Sequence, residues 1–115
     1  MPKKLAQMPT DDKDAKDKAS LSYDLLDEVL HSRIRLAVVS ALAGVEEAEF
    51  TWLRETVGAS DGNLASHLRK LEDAGYVTMR KTFIGRKPAT YYCLSTVGKD
   101  ALKVYIKNLT KFIRL

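Results

Sequence analysis

Residues 60–77 read SDGNLASHLRKLEDAGYV. Leu64, Leu68 and Leu71 recur at steps of four and three, the narrow apolar stripe of a helix that packs on one side only. Ser60 stands just before the stripe, where a hydroxyl accepts an orphan amide of the first turn. Gly75 stands just after it, where a left-handed residue ends a helix. With the leucines turned inward, the outward set is Asp61, Gly62, Asn63, Ser66, His67 and Lys70. Upstream, Phe50 and Thr51 open a shorter helix with Thr51 as its cap, Leu53 and Val57 face inward, and Gly58 closes it. Two short helices joined by the turn from Gly58 to Ser60 have the length and the glycine of a helix-turn-helix.

Downstream of Gly75 the apolar period changes from helical to two. Tyr76 to Phe83 and Ala89 to Leu94 are rich in Thr, Val, Tyr and Phe, and they flank Ile84-Gly85-Arg86-Lys87-Pro88. This predicts a two-stranded hairpin with a basic tip. Ser95 then caps a final helix in which Leu102, Tyr105, Ile106, Leu109, Phe112 and Ile113 repeat at helical spacing, with Lys99, Lys103, Lys107 and Lys111 on another face. Before the first short helix, Leu26, Leu30, Ile34, Val38 and Leu42 mark a further buried stripe that ends at Gly44. It is interrupted at His31 and Ser32, so one rod and two pieces, near 23 to 30 and 33 to 43 with Ser32 as cap, both fit. Glu46, Glu47 and Glu49 read as a solvated acidic turn, and Phe50, Trp52 and Leu53 as core residues. Residues 1–20 hold five Lys and four Asp with few large apolar side chains, which predicts a flexible tail. Residues 21–115 form the single domain, its C-terminal helix spanning about 96–113.

This order, helix, helix, turn, helix, hairpin and helix, is that of a winged helix-turn-helix: mainly α, with a small β-hairpin wing and flanking N- and C-terminal helices. Residues 60–77, together with Gly85-Arg86-Lys87-Pro88 and Tyr92-Cys93-Leu94-Ser95, resemble the small winged-helix transcription regulators related to the MarR and ArsR families. The resemblance spans roughly residues 30 to 105. It implies that the helix after Ser60 is the recognition helix and the hairpin the wing.

Charge placement supports a polyanionic partner. The chain of 115 residues has a net charge of +4. Residues 21–59 carry three Arg against seven acids, residues 60–93 six cations against three acids, and residues 94–115 five cations against Asp100 alone. The basic half therefore coincides with the recognition helix, the wing and the last helix. In a major groove, Asn63 can pair with adenine N6 and N7, Ser66 with a base or a phosphate, and Lys70 with the backbone, while Ser60 and His67 lie on the same exposed side. Asp61 either stabilises the helix start or accepts from cytosine N4. Arg69 can pair with Glu72 or Asp73 instead of phosphate. Arg86 and Lys87 can bridge from the tip to the adjacent minor groove, although a hairpin also needs a polar tip for solubility. Arg80 and Lys81 lie on opposite strand faces, so only one of them can join.

The expected function is a cytoplasmic, homodimeric, sequence-specific regulator that binds double-stranded DNA at an inverted repeat and represses by occupying it. Leu102, Tyr105, Ile106, Leu109, Phe112 and Ile113 are the expected dimer seam. A winged-helix module that recruits a protein, and a sensor with a small-molecule pocket near the seam, are the alternatives. Cys93 has no second thiol, and His31, His67 and Cys93 have no metal-ligand spacing, so no metal or other cofactor is expected. No nucleophile elbow, phosphate-binding glycine loop or paired-carboxylate motif is present, so an enzyme is not expected. No apolar run approaches the ~18 residues of a membrane span, and no membrane partner is expected.

Overall fold

Serine caps and left-handed glycines set the element boundaries. In the computed structural model, which describes residues 22–113, a 3-10 turn at Tyr23–Leu25 precedes helix α1 (Arg33–Ala43). The upstream stripe is thus two pieces, the first a single tight turn and not an α-helix. Ser32 Oγ accepts the Arg35 amide at the start of α1. A two-residue strand β1 (Ala48–Glu49) leads into α2 (Phe50–Val57) and α3 (Asp61–Asp73). The hairpin strands are β2 (Val77–Ile84) and β3 (Lys87–Leu94), and α4 (Thr96–Phe112) follows. The expected tail over residues 1–20 lies outside the described residues.

Among the described residues, four α-helices and a three-stranded antiparallel sheet of order β1-β3-β2 make this a winged helix. Leu30, Val38, Val39, Leu42, Leu53, Leu64, Leu68 and Leu71 form the fully buried centre of one core. At ~25 cal/mol per Å² of apolar surface, such leucines contribute roughly 2 kcal/mol each relative to exposure. The α2–α3 turn has Gly58 at φ 78°. At the far end of α3, Gly75 at φ 80° lets Tyr76 N–H reach Leu71 O and Gly75 N–H reach Glu72 O, satisfying the last carbonyls.

Three local expectations are corrected. The acidic segment is not wholly a solvated turn, because Ala48 pairs with Tyr92 and Glu49 with Tyr91 as the third strand. Thr51 does not cap α2: the helix begins at Phe50, Glu49 occupies the cap position, and no side chain accepts there. Trp52 is 42% exposed, because Leu53 takes the inward position beside it.

The hairpin is longer and tighter than its sequence texture indicates. Ile84 pairs with Lys87 and Phe83 with Pro88, so the bend is only Gly85-Arg86, with Gly85 at φ 65°. Lys87 and Pro88 belong to a strand, which corrects the five-residue tip. Proline is tolerated there because β1 reaches only to Tyr91 and Tyr92, leaving β3 two-stranded toward the tip. At the root, Ser95 Oγ accepts the Gly98 amide at 2.9 Å and donates to Gly75 O at 2.7 Å. One hydroxyl thus caps α4 and ties it to the exit of α3.

Candidate nucleic-acid interface

The exposed side of α3 follows directly from the inward turn of its three leucines. Asp61, Gly62, Asn63, Ala65, Ser66, Arg69 and Lys70 are exposed, whereas Leu64 and Leu68 are sealed. Ser60 Oγ accepts the Asn63 amide at 3.2 Å, which fixes the first turn while leaving the Asn63 side chain outward. The cap Ser60 is itself exposed, at the edge of this face.

Two predicted contacts are already engaged within the chain. Asp61 accepts from Arg54 Nη1 at 2.9 Å, so the carboxylate at the start of α3 is neutralised by a cation of α2. The pair is exposed and adds little to stability, but it offsets the repulsion that Asp61 alone would exert on phosphate. His67 is half-buried, and Arg35 Nη1 lies 2.9 Å from its Nδ1. Arginine can only donate, so His67 Nδ1 accepts and the imidazole is neutral. Partial burial, then Arg35 and Lys70, hold its pKa below the ordinary histidine value. Arg35 Nε also donates to Val29 O, which anchors the segment before α1 against α3.

The wing presents its cations selectively. Arg80 pairs with Glu47 and lies 4.8 Å from the Tyr91 ring centroid, so it is committed to the face that carries the β1 loop. Lys81 is on the opposite face. With Arg69 it lines a groove of about 460 Å³ between α3 and the hairpin, together with Ala65, Glu72, Met79 and Tyr92. Lys81 is therefore the strand cation that shares a side with α3, a choice that alternation alone left open. Arg69 forms no ion pair with Glu72 or Asp73 among the described residues, contrary to expectation; those three side chains line the same groove. Arg86 sits at the bend and Lys87 beside it, both exposed.

Of the six side chains expected at a dimer seam, Tyr105 is corrected: it is 3% exposed, inside the chain's own core, and its hydroxyl meets His31 Nδ1 at 2.7 Å. Leu102, Leu109 and Phe112 are half-buried. Ile106 and Ile113 are more than half exposed, and so are Val97 and Val104, which the sequence pattern did not single out. Cys93 is half-buried, and its thiol donates to Leu94 O. No helix among the described residues is long and apolar enough to cross a membrane.

Residues 34–113 match a family model described as a winged helix DNA-binding domain. An uncharacterized protein of Methanocaldococcus jannaschii is 35% identical over 82 residues, which is 71% of this chain and 89% of the relative. Among solved structures, a transcriptional regulator homologue from Pyrococcus horikoshii is 25% identical with a TM-score of 0.71, covering 85% of this chain and 94% of that one. AbsC, a MarR-family regulator from Streptomyces coelicolor, shares the fold at 13% identity and a TM-score of 0.59, covering 94% of this chain and 82% of its own.

Proposed function

The chain belongs to the winged helix DNA-binding domain family, and from that footing we propose that it is a cytoplasmic, homodimeric, sequence-specific transcriptional regulator that represses by occupying an inverted repeat in duplex DNA. The observation that carries this reading is the shared side of α3 and the wing. Asn63, Ser66, Arg69 and Lys70 are exposed along α3, and Lys81 continues the same side on the hairpin. A polar helix face with flanking cations suits a major groove lined by phosphates and suits a protein partner poorly, since such partners need an apolar centre.

In the proposed complex Asn63 reads a base edge, Ser66 a base or phosphate, and Ser60, Lys70, Arg69 and Lys81 fix the register through the backbone. Arg86 and Lys87 extend to the neighbouring minor groove. His67 acts from behind this surface, holding Arg35 and the start of α1 against α3. The exposed apolar side chains of α4 supply the seam for a second copy, with Ile106 and Ile113 on one flank and Val104 on the other. A two-fold dimer then sets two recognition helices about 34 Å apart, one duplex turn.

Selection of bound duplexes from a random pool tests the reading. A palindromic consensus is expected, and affinity for it should fall by orders of magnitude between about 50 and 200 mM salt as counterions are released. Asn63→Ala should flatten the preference at one position per half-site, whereas Arg86→Ala should weaken all sequences alike. A pool without enrichment, or binding indifferent to salt, would overturn the assignment.

A further inference from the structure

The wing ends in apolar side chains that none of the described residues covers. Phe83 is 70% exposed and Ile84 is 56% exposed, at the last two positions before the bend. Phe83 stands directly opposite Pro88 in the ladder, so the two form one apolar edge. Strand alternation puts that edge on the same face as Lys81 and Met79, the face that lines the groove with α3. Solubility would favour polar residues at such a tip, and cations alone are enough to hold phosphate.

Reach is also specific. Both α3 and β2 leave the turn at Gly75. At ~1.5 Å per residue the start of α3 at Asp61 lies about 21 Å from that turn. At ~3.3 Å per residue Phe83 lies about 26 Å from it along the strand, so the wing is at least as long as the recognition helix. A hairpin of that length can reach from the segment assigned to the major groove to the groove beside it.

Resting on the proposed DNA-binding function, we infer that the Phe83–Pro88 edge is a wedge that enters the minor groove flanking each half-site and partly unstacks one base step there, with Arg86 and Lys87 holding the phosphates on either side. Charge decides between a duplex and a second copy as occupant. Lys81, Arg86 and Lys87 surround the edge, so two tips would repel one another, while a polyanion is attracted. Phenylalanine and proline are among the side chains that open base steps, and pyrimidine–purine steps unstack at least cost. The wedge thus adds specificity outside the bases that α3 reads.

The test uses the full chain and the duplex selected above, with the flanking step varied among TA, CA and an A-tract and 2-aminopurine placed in the step. Wild-type protein should prefer the flexible steps roughly tenfold and raise the 2-aminopurine emission on binding. Phe83→Ser, at an exposed site, should keep the preference for the central bases, lose that for the flank and leave the emission unchanged. Phe83→Leu should retain part of both. Unchanged emission with wild-type protein, or a flank preference that survives Phe83→Ser, would overturn the wedge while the regulator reading stands. A shift of the DNA-free protein toward monomer in Phe83→Ser would assign the edge to a second copy and overturn it as well. Absence of any selected central sequence would remove both readings.

Discussion

Helix α3 enters the wing root and helix α4 leaves it, yet they finish their surfaces differently. Helix α3 buries Leu64, Leu68 and Leu71 to 1% exposure or less, and no large apolar side chain on it is exposed. Helix α4 is longer, seals only Gly98 and Tyr105, and leaves Val97, Val104 and Ile106 more than half exposed. The first helix presents a polar outer surface, the second an apolar one. Charge placement alone would group the two, since both are flanked by cations; burial separates them.

The largest expected effect sharpens how α4 is attached. An added Cβ at Gly98 would lie 2.2 Å from Tyr76 O and 2.7 Å from Leu94 Cδ1, so the helix seats directly on the hairpin root. Gly98→Ala should therefore destabilise by about 3 kcal/mol, at the upper end of ordinary overpacking, as read from urea unfolding. An unchanged midpoint would mean that α4 is not held there.

Next in size, Ile106→Asp should break a dimer without unfolding the monomer. Placing a charge at a buried seam should raise the dimer dissociation constant by roughly a hundredfold, measured by sedimentation, with the unfolding of the monomer unaffected. A monomeric wild-type protein at micromolar concentration would contradict the seam.

A smaller effect separates the cations of the two regions. Lys81→Ala should reduce the salt slope of duplex binding by about one and weaken affinity several-fold at low salt, whereas Lys103→Ala, on the outer face of α4, should leave the slope unchanged. Equal slopes for the two variants would dissolve the distinction.

The smallest effect is in pH. Burial, Arg35 and Lys70 lower the His67 pKa below 6.5, so the unfolded chain binds this proton more readily than the folded one. The contribution is complete above pH ~6.5 and is lost as pH falls toward and through the lowered value. Stability should therefore fall more between pH 7.5 and 5 in the wild-type protein than in His67→Gln. Comparison with His67→Gln isolates it from the carboxylates; an identical pH dependence in the two proteins would refute the Arg35–His67 contact.

Much of the fold was legible because its signals are local. Ser32, Ser60 and Ser95 cap the helices they precede, and Gly58, Gly75 and Gly85 take positive φ where the chain turns. The leucine stripe of α3 identified its buried side without reference to any other element. What escaped depends on residues distant in sequence. Strand β1 is two residues long, too short to show a period, and exists because Tyr91 and Tyr92 offer it an edge. Glu47 and Arg80 are 33 residues apart, so their pairing, which leaves Lys81 as the wing cation beside α3, could not be read from alternation. Tyr105 fits the apolar repeat of α4 equally well as seam or core, and only the partner His31, 74 residues away, resolves it. Trp52 reads as inward on hydrophobicity, yet it is 42% exposed because its neighbour Leu53 takes the buried position.

Chemical footprinting of wild-type protein on its selected duplex tests most directly whether α3 occupies a major groove with the wing beside it. The expected result is two patches of purine N7 protected from methylation, centred one turn apart, each flanked by sugars protected across the minor groove. Asn63→Ala should thin the first signal and Arg86→Ala the second. Uniform protection along the duplex, or two variants that lose the same signal, would contradict that placement.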